Sequence, residues 1–142
     1  MRIMGLDVGE KRIGIAISDP MGWTAQGHSV LQRSVLEIDI KNINQLCQEY
    51  EVEIIVIGLP RNMDGSIGPK ALEVQEFAQL LENSLGINIA YWDERLTTKS
   101  AERVLIEADL SRRRRKQVID KMAAVYIFQA YLDKQDSDSK RV

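Results

Sequence analysis

The chain opens on two short stretches of alternating residues. Over residues 2–8, Met4, Leu6 and Val8 alternate with Ile3, Gly5 and Asp7; over 12–18, Ile13, Ile15 and Ile17 alternate with Gly14, Ala16 and Ser18. A period of two is the strand signature, and the short Gly9-Glu10-Lys11 connection predicts an antiparallel hairpin. Asp19-Pro20-Met21-Gly22 reads as a turn, and a third strand is expected near His28–Arg33. The period then lengthens. Ile43, Leu46, Cys47 and Tyr50 fall at i, i+3, i+4, i+7, one face of a helix over roughly 36–50. Glu53–Gly58 is an apolar run of strand length, the pattern of a central parallel strand buried on both faces. A loop rich in Pro, Asn, Asp and Gly spans Leu59–Gly68, and Pro69 suits the first turn of a helix. That helix carries Val74, Phe77, Ala78, Leu81 and Leu85 on one face and stops at Gly86. Ile87–Trp92 predicts a further strand, 98–108 a short helix, and roughly 116–133 a last helix.

The order β-β-β-α-β-α-β-α-α predicts an α/β fold: a mixed five-stranded sheet, three antiparallel strands followed by parallel ones, with helices on both faces. At 142 residues there is room for one ordinary domain, expected over 1–134, with a polar, flexible tail at 135–142. A hydrophobic share of 44% with 28% charged residues is globular composition and excludes a disordered or fibrous chain. One cysteine, Cys47, and one histidine, His28, exclude a disulfide framework and a multi-cysteine zinc site and argue against histidine-dependent catalysis. No apolar run is long enough for a signal-peptide core or a membrane span, so a cytoplasmic protein without membrane partners is expected.

Three acidic positions run against their surroundings. Asp7 lies inside a strand, where Asp is depleted. Asp93 and Glu94 stand at the carboxyl end of a strand, where α/β sheets place their sites. Asp120 heads an apolar stripe of Ala124, Ile127 and Tyr131. Each has an ordinary explanation: a turn cap or pairing with Lys11 or Arg12 for Asp7, a helix cap for Asp93 or Glu94, a solvated first-turn acid for Asp120. Were the three to converge, hard divalent cations would be the natural compensating charge, because oxygen ligands select Mg²⁺ or Mn²⁺ over zinc. Two such ions promote phosphodiester hydrolysis.

Charge placement adds to this. The net charge is −2, but Arg112-Arg113-Arg114-Arg115-Lys116 is a run of five positive charges; without it the rest of the chain carries −7. Most such runs are solvated surface, yet one beside a metal site can hold a phosphate backbone. Arg61-Asn62 and Asp64-Gly65-Ser66, in the loop after the apolar strand, are a second candidate phosphate contact. Trp23, His28, Cys47 and Trp92 read as structural.

Gly5-Leu6-Asp7-Val8-Gly9, Gly14-Ile15-Ala16-Ile17-Ser18-Asp19, Ile57-Gly58-Leu59-Pro60, Asn62-Met63-Asp64-Gly65-Ser66, Asp93-Glu94-Arg95-Leu96-Thr97-Thr98 and Ile119-Asp120-Lys121-Met122-Ala123-Ala124 together resemble the YqgF/RuvX family. The resemblance runs to about Leu132. It implies an RNase H-like fold related to the RuvC resolvases, and a metal-dependent nuclease processing the 5′ end of precursor 16S rRNA. It also implies a catalytic, metal-binding set of Asp7, Glu94 and Asp120, with Asp93 the weaker candidate, holding two Mg²⁺ or Mn²⁺ ions. Glu10 and Arg12 depart from the small or hydroxyl residues common at this turn in the family. Lys11, Arg12, Arg61, Asn62, Ser66, Arg95, Arg114, Arg115 and Lys116 are the candidate nucleic-acid contacts. The expected partners are precursor rRNA or branched DNA and the small ribosomal subunit, for a monomer or homodimer. The rival readings are a Holliday-junction resolvase on the same scaffold, a non-catalytic nucleic-acid module, and an actin-like ATPase lobe, for which the chain is too short.

Overall fold

The computed structural model describes residues 2–22, 24–93, 124–125 and 128–133. In chain order the elements are β1 (Arg2–Val8), β2 (Arg12–Ser18), β3 (Ala25–Gln32), α1 (Leu36–Glu49), β4 (Val52–Leu59), α2 (Pro69–Leu85) and β5 (Asn88–Asp93). Residues 124–125 and 128–133 are helical, within the range expected for the last helix. The predicted short helix near 98–108, the basic run and the tail lie outside the described residues.

The five strands form one sheet in the order β3-β2-β1-β4-β5. β1 pairs antiparallel with β2 and parallel with β4; β2 and β3 are antiparallel, β4 and β5 parallel. This is the expected mixed sheet. β3 is longer toward its amino end than His28–Arg33, beginning at Ala25 and ending at Gln32. Its polar residues, half-buried at most, give no period-two signal, and the register shifts between Ile15 and Ala16 of β2. Tertiary contacts fix its start: Gln129 Oε1 accepts the Ala25 N–H at 2.8 Å. The turn before β3 is built on Asp19, whose carboxylate accepts the N–H groups of Met21 (3.1 Å) and Thr24 (2.7 Å).

The alternation in β1 sorts its residues between two cores. Met4 and Leu6 join Ile13, Ile15, Ile17, Ile55 and Ile57 beneath α1 and α2, which contribute Ile43, Cys47, Val74, Phe77 and Leu81. Ile3 joins Ala16 and Val56 beneath Ala124, Phe128 and Leu132 on the other face. Both faces are therefore covered, as the apolar run of β4 implies. Gly5 makes the second packing possible. A Cβ there would lie 2.7 Å from Phe128 Cβ and 2.8 Å from its Cγ, so only glycine lets the last helix settle this close. α2 begins with Pro69 at its amino end and stops at Gly86 in the left-handed region (φ 66°), both as expected.

Candidate active site

Asp7 is the last-but-one residue of β1 and stands opposite Gly14 in β2. Strand alternation gives it the face of Ile3 and Gly5, the one covered by Phe128, away from α1 and α2. The neighbouring positions on that face are small: Gly14 and Ala16 in β2, and Gly58 in β4 beside Trp92 of β5. A half-buried carboxylate thus stands near the carboxyl end of the central strand, on a face where its strand neighbours carry small side chains.

The β1–β2 turn is tight. Gly9 donates its N–H to Arg12 O at 2.8 Å, and a Cβ at Gly9 would sit 2.9 Å from that same oxygen. Lys11 is exposed at the tip, and Arg12 is half-buried at the start of β2.

β4 runs parallel to β1, so the loop 60–68 leaves the sheet at the rim where the Gly9–Lys11 turn lies. The loop is internally bonded. Asn62 accepts the Gly65 N–H on its carbonyl and donates its own N–H to Ser66 O; Asn62 Nδ2 donates to Ser66 Oγ (2.9 Å). Asp64 Oδ1 accepts the Ser66 N–H and hydroxyl at 2.9 and 2.6 Å. Asn62 and Ser66 therefore shape the loop, while the Arg61 guanidinium, 3.3 Å from Gly65 O, is exposed.

Of the predicted site residues, the structure brings Asp7, Lys11, Arg12, Arg61, Asn62 and Ser66 to one end of the sheet. Asp93 pairs with Leu59, a residue of the α1/α2 core, and so belongs to the face opposite Asp7. Glu94, Arg95, Arg114, Arg115, Lys116 and Asp120 lie outside the described residues, as does Trp23. Among the described residues no group of three His, Cys, Asp or Glu side chains is close enough to hold a metal. The donor chemistry around Asp7 nevertheless suits a hard cation. His28 hydrogen-bonds Ser29 and Tyr50 (2.8 and 3.1 Å), the latter at the end of α1. Cys47 is buried in the α1/α2 core, where burial pushes its thiol up to about 11. Among the described residues, the histidine and the cysteine are thus spent on the other face, and Asp7 offers carboxylate oxygen on its own. A cavity of about 210 Å³ between Arg2, Ser18, Asp19, His28 and Tyr50 lies toward the amino end of β1, remote from this rim.

Sequence reasoning missed one buried acid. Asp39 is fully buried on α1, and its carboxylate accepts the Ser34 N–H at 2.9 Å. It sits four residues before Ile43, so the stripe argument applied to Asp120 would have found it.

The same fold occurs in solved resolvases. Over 96% of this chain it superposes on Thermus thermophilus RuvC bound to a Holliday-junction substrate (TM-score 0.60, 12% identity, 97% of that chain). The fowlpox virus resolvase in complex with Holliday-junction DNA gives a TM-score of 0.59 at 12% identity, covering 95% of this chain and 99% of that one. The fold is therefore that of the RuvC-like, RNase H-like proteins. Residues 1–134 match the RuvX family, described as Holliday junction resolvase. A relative in Syntrophomonas wolfei, named "Putative pre-16S rRNA nuclease", is 69% identical over 133 residues, 94% of each chain. One of the same name in Clostridium tetani is 56% identical over 94% of this chain and 96% of its own. The chain belongs to the RuvX family of nucleases, hydrolases that act on ester bonds.

Proposed function

We propose that this protein is a divalent-metal-dependent endonuclease that processes the 5′ end of precursor 16S rRNA. The observation that carries the reading is the placement of Asp7: a half-buried carboxylate near the carboxyl end of the central strand, on a face lined by glycine and alanine and roofed by the last helix. The name shared by relatives at 69% and 56% identity supports the substrate. Asp7, Glu94 and Asp120 would hold Mg²⁺ or Mn²⁺, two ions in the RNase H-like scheme. Asp93 is on the Leu59 face, opposite Asp7, which disfavours it as the partner of Asp7. Ala124, Phe128 and Leu132 repeat every four residues on the buried side of the last helix.

When bound, the cations supply Lewis acidity and charge neutralisation for phosphodiester cleavage. The protein's own residues orient the substrate. Lys11 and Arg61 are exposed on the rim beside Asp7, and Asn62 and Ser66 hold the loop that presents Arg61. Arg12 at the start of β2, together with Arg95, Arg114, Arg115 and Lys116, completes the proposed backbone contacts, which position a strand without reading its sequence. We place the reaction in the cytoplasm, on RNA associated with the small ribosomal subunit, carried out by a monomer or homodimer. The described residues include no helix long and apolar enough to cross a membrane.

The second reading is cleavage of branched DNA, favoured by the family description and by the superposition on RuvC bound to a junction. Incubating the protein with an RNA spanning the 5′ end of mature 16S rRNA, and separately with a four-way DNA junction, tests both in Mg²⁺, Mn²⁺ or EDTA. Metal-dependent cut of the RNA is expected. Symmetric cleavage of the junction with intact RNA would overturn the first reading in favour of the second.

A further inference from the structure

Arg33 follows β3 directly and reaches three parts of the fold: the β1–β2 turn, α1 and α2. Its backbone N–H donates to Lys11 O at 2.8 Å, and its Nη1 donates to Gly9 O at 2.8 Å. Its Nε lies 3.7 Å from Asp39 Oδ2, an ion pair rather than a hydrogen bond. Its guanidinium carbon stands 5.3 Å from the centre of the Phe77 ring of α2. Asp39 is itself held by the Ser34 N–H and is fully buried. A buried carboxylate facing a cation is a poor way to add stability, since desolvation offsets the attraction. What the arrangement supplies is direction. The planar guanidinium sends one edge to Asp39 and another to Gly9 O, and the backbone N–H of the same residue holds Lys11 O. Two carbonyls of the β1–β2 turn, two and four residues after Asp7, are thus gripped by one residue.

We propose that Arg33, aligned by Asp39, is a positioning residue that holds the β1–β2 turn and thereby sets the placement of Asp7 toward a divalent cation and of Lys11 toward the substrate backbone. The inference rests on the nuclease reading for its consequence, but the grip on the turn stands without it.

The test compares wild type with Arg33→Met, Arg33→Lys and Asp39→Asn. The first readout is amide hydrogen exchange at Gly9 and Ile13 by NMR, with no metal or RNA. The second is the Mg²⁺ concentration giving half-maximal RNA cleavage, read together with kcat and KM. Arg33→Met is expected to speed Gly9 exchange about tenfold with little change at Ile13. It should raise the Mg²⁺ midpoint several-fold, with much of kcat recovered at high Mg²⁺. Arg33→Lys, which keeps charge but loses the fork, should fall between and covers the case in which the Met variant does not fold. Unchanged Gly9 exchange in the Lys and Asp39→Asn variants would overturn the grip. Faster exchange with an unchanged Mg²⁺ midpoint would overturn its role toward the cation. A wild-type protein that cleaves nothing would overturn the nuclease reading alone, the exchange result still standing.

Discussion

Replacing Gly5 with alanine adds a single methyl group at the centre of the site's architecture. The new Cβ would lie 2.7, 2.8 and 3.3 Å from Phe128 Cβ, Cγ and Cδ1. Carbon pairs at rest are about 3.5–4.0 Å apart, so the overlap approaches about 1 Å. Phe128 is fully buried and Gly5 is in a strand paired on both sides, so neither can move alone. Overpacking of this kind costs about 1–3 kcal/mol. For a chain of this length that lowers the unfolding midpoint by roughly 3–12 °C. The methyl also pushes the last helix off the face that carries Asp7, so metal-dependent cleavage should fall further than stability does. Phe128→Ala alone should cost about 3–5 kcal/mol by leaving a cavity. In the double variant the two changes partly cancel, and a thermal-denaturation cycle should return a coupling of at least about 1 kcal/mol. Additive single effects, or a Gly5→Ala protein that melts like wild type, would refute the packing of this helix against β1.

Other perturbations separate backbone from side-chain effects. Gly86→Ala has open space for its Cβ but a φ of 66°, so it should lose about 1 kcal/mol from conformation alone, measured by urea unfolding; no loss would refute the left-handed cap. Cys47, with its thiol raised to about 11 by burial, should resist iodoacetamide at pH 8 in the native protein and react quickly in urea; equal rates would contradict its burial. The same shift makes the protein alkali-sensitive. The folded state keeps the proton longer than the unfolded one, so this contribution is complete below about pH 9 and is lost as pH rises toward 11, a trend that Cys47→Ala should weaken. Arg61→Ala should weaken RNA binding at low salt and reduce the slope of log affinity against log salt by about 1 phosphate contact; an unchanged slope would remove Arg61 from the interface.

Much of the architecture was legible because its signals are local. Alternation in β1 and β2, the apolar run of β4, and Pro69 with Gly86 around α2 each depend on neighbours a few residues away. β3 was less so: its start is held by Gln129, more than a hundred residues distant, and its polar residues carry no period. For the site, Asp7 could be singled out because a carboxylate inside an otherwise apolar strand is conspicuous. That Asp93 falls on the face opposite Asp7 follows from the register of β5 against β4, which no sequence spacing supplies. Arg33 escaped notice because a charge at a strand end looks ordinary alone, whereas Asp39 carried a signal, its place on the Ile43 stripe, that was not applied to it. The meaning of Arg33 lies in what it holds, two carbonyls of a turn that is remote in sequence, and that of Asp39 in facing Arg33.

The account depends most on Asp7. Asp7→Asn keeps the size and shape of the side chain and removes the charge that would hold a cation. Cleavage of the precursor 16S rRNA 5′ end in Mg²⁺ should fall by at least about 100-fold, while the circular dichroism spectrum and cooperative unfolding stay native. Cleavage at the wild-type rate by the folded Asn variant would contradict the account.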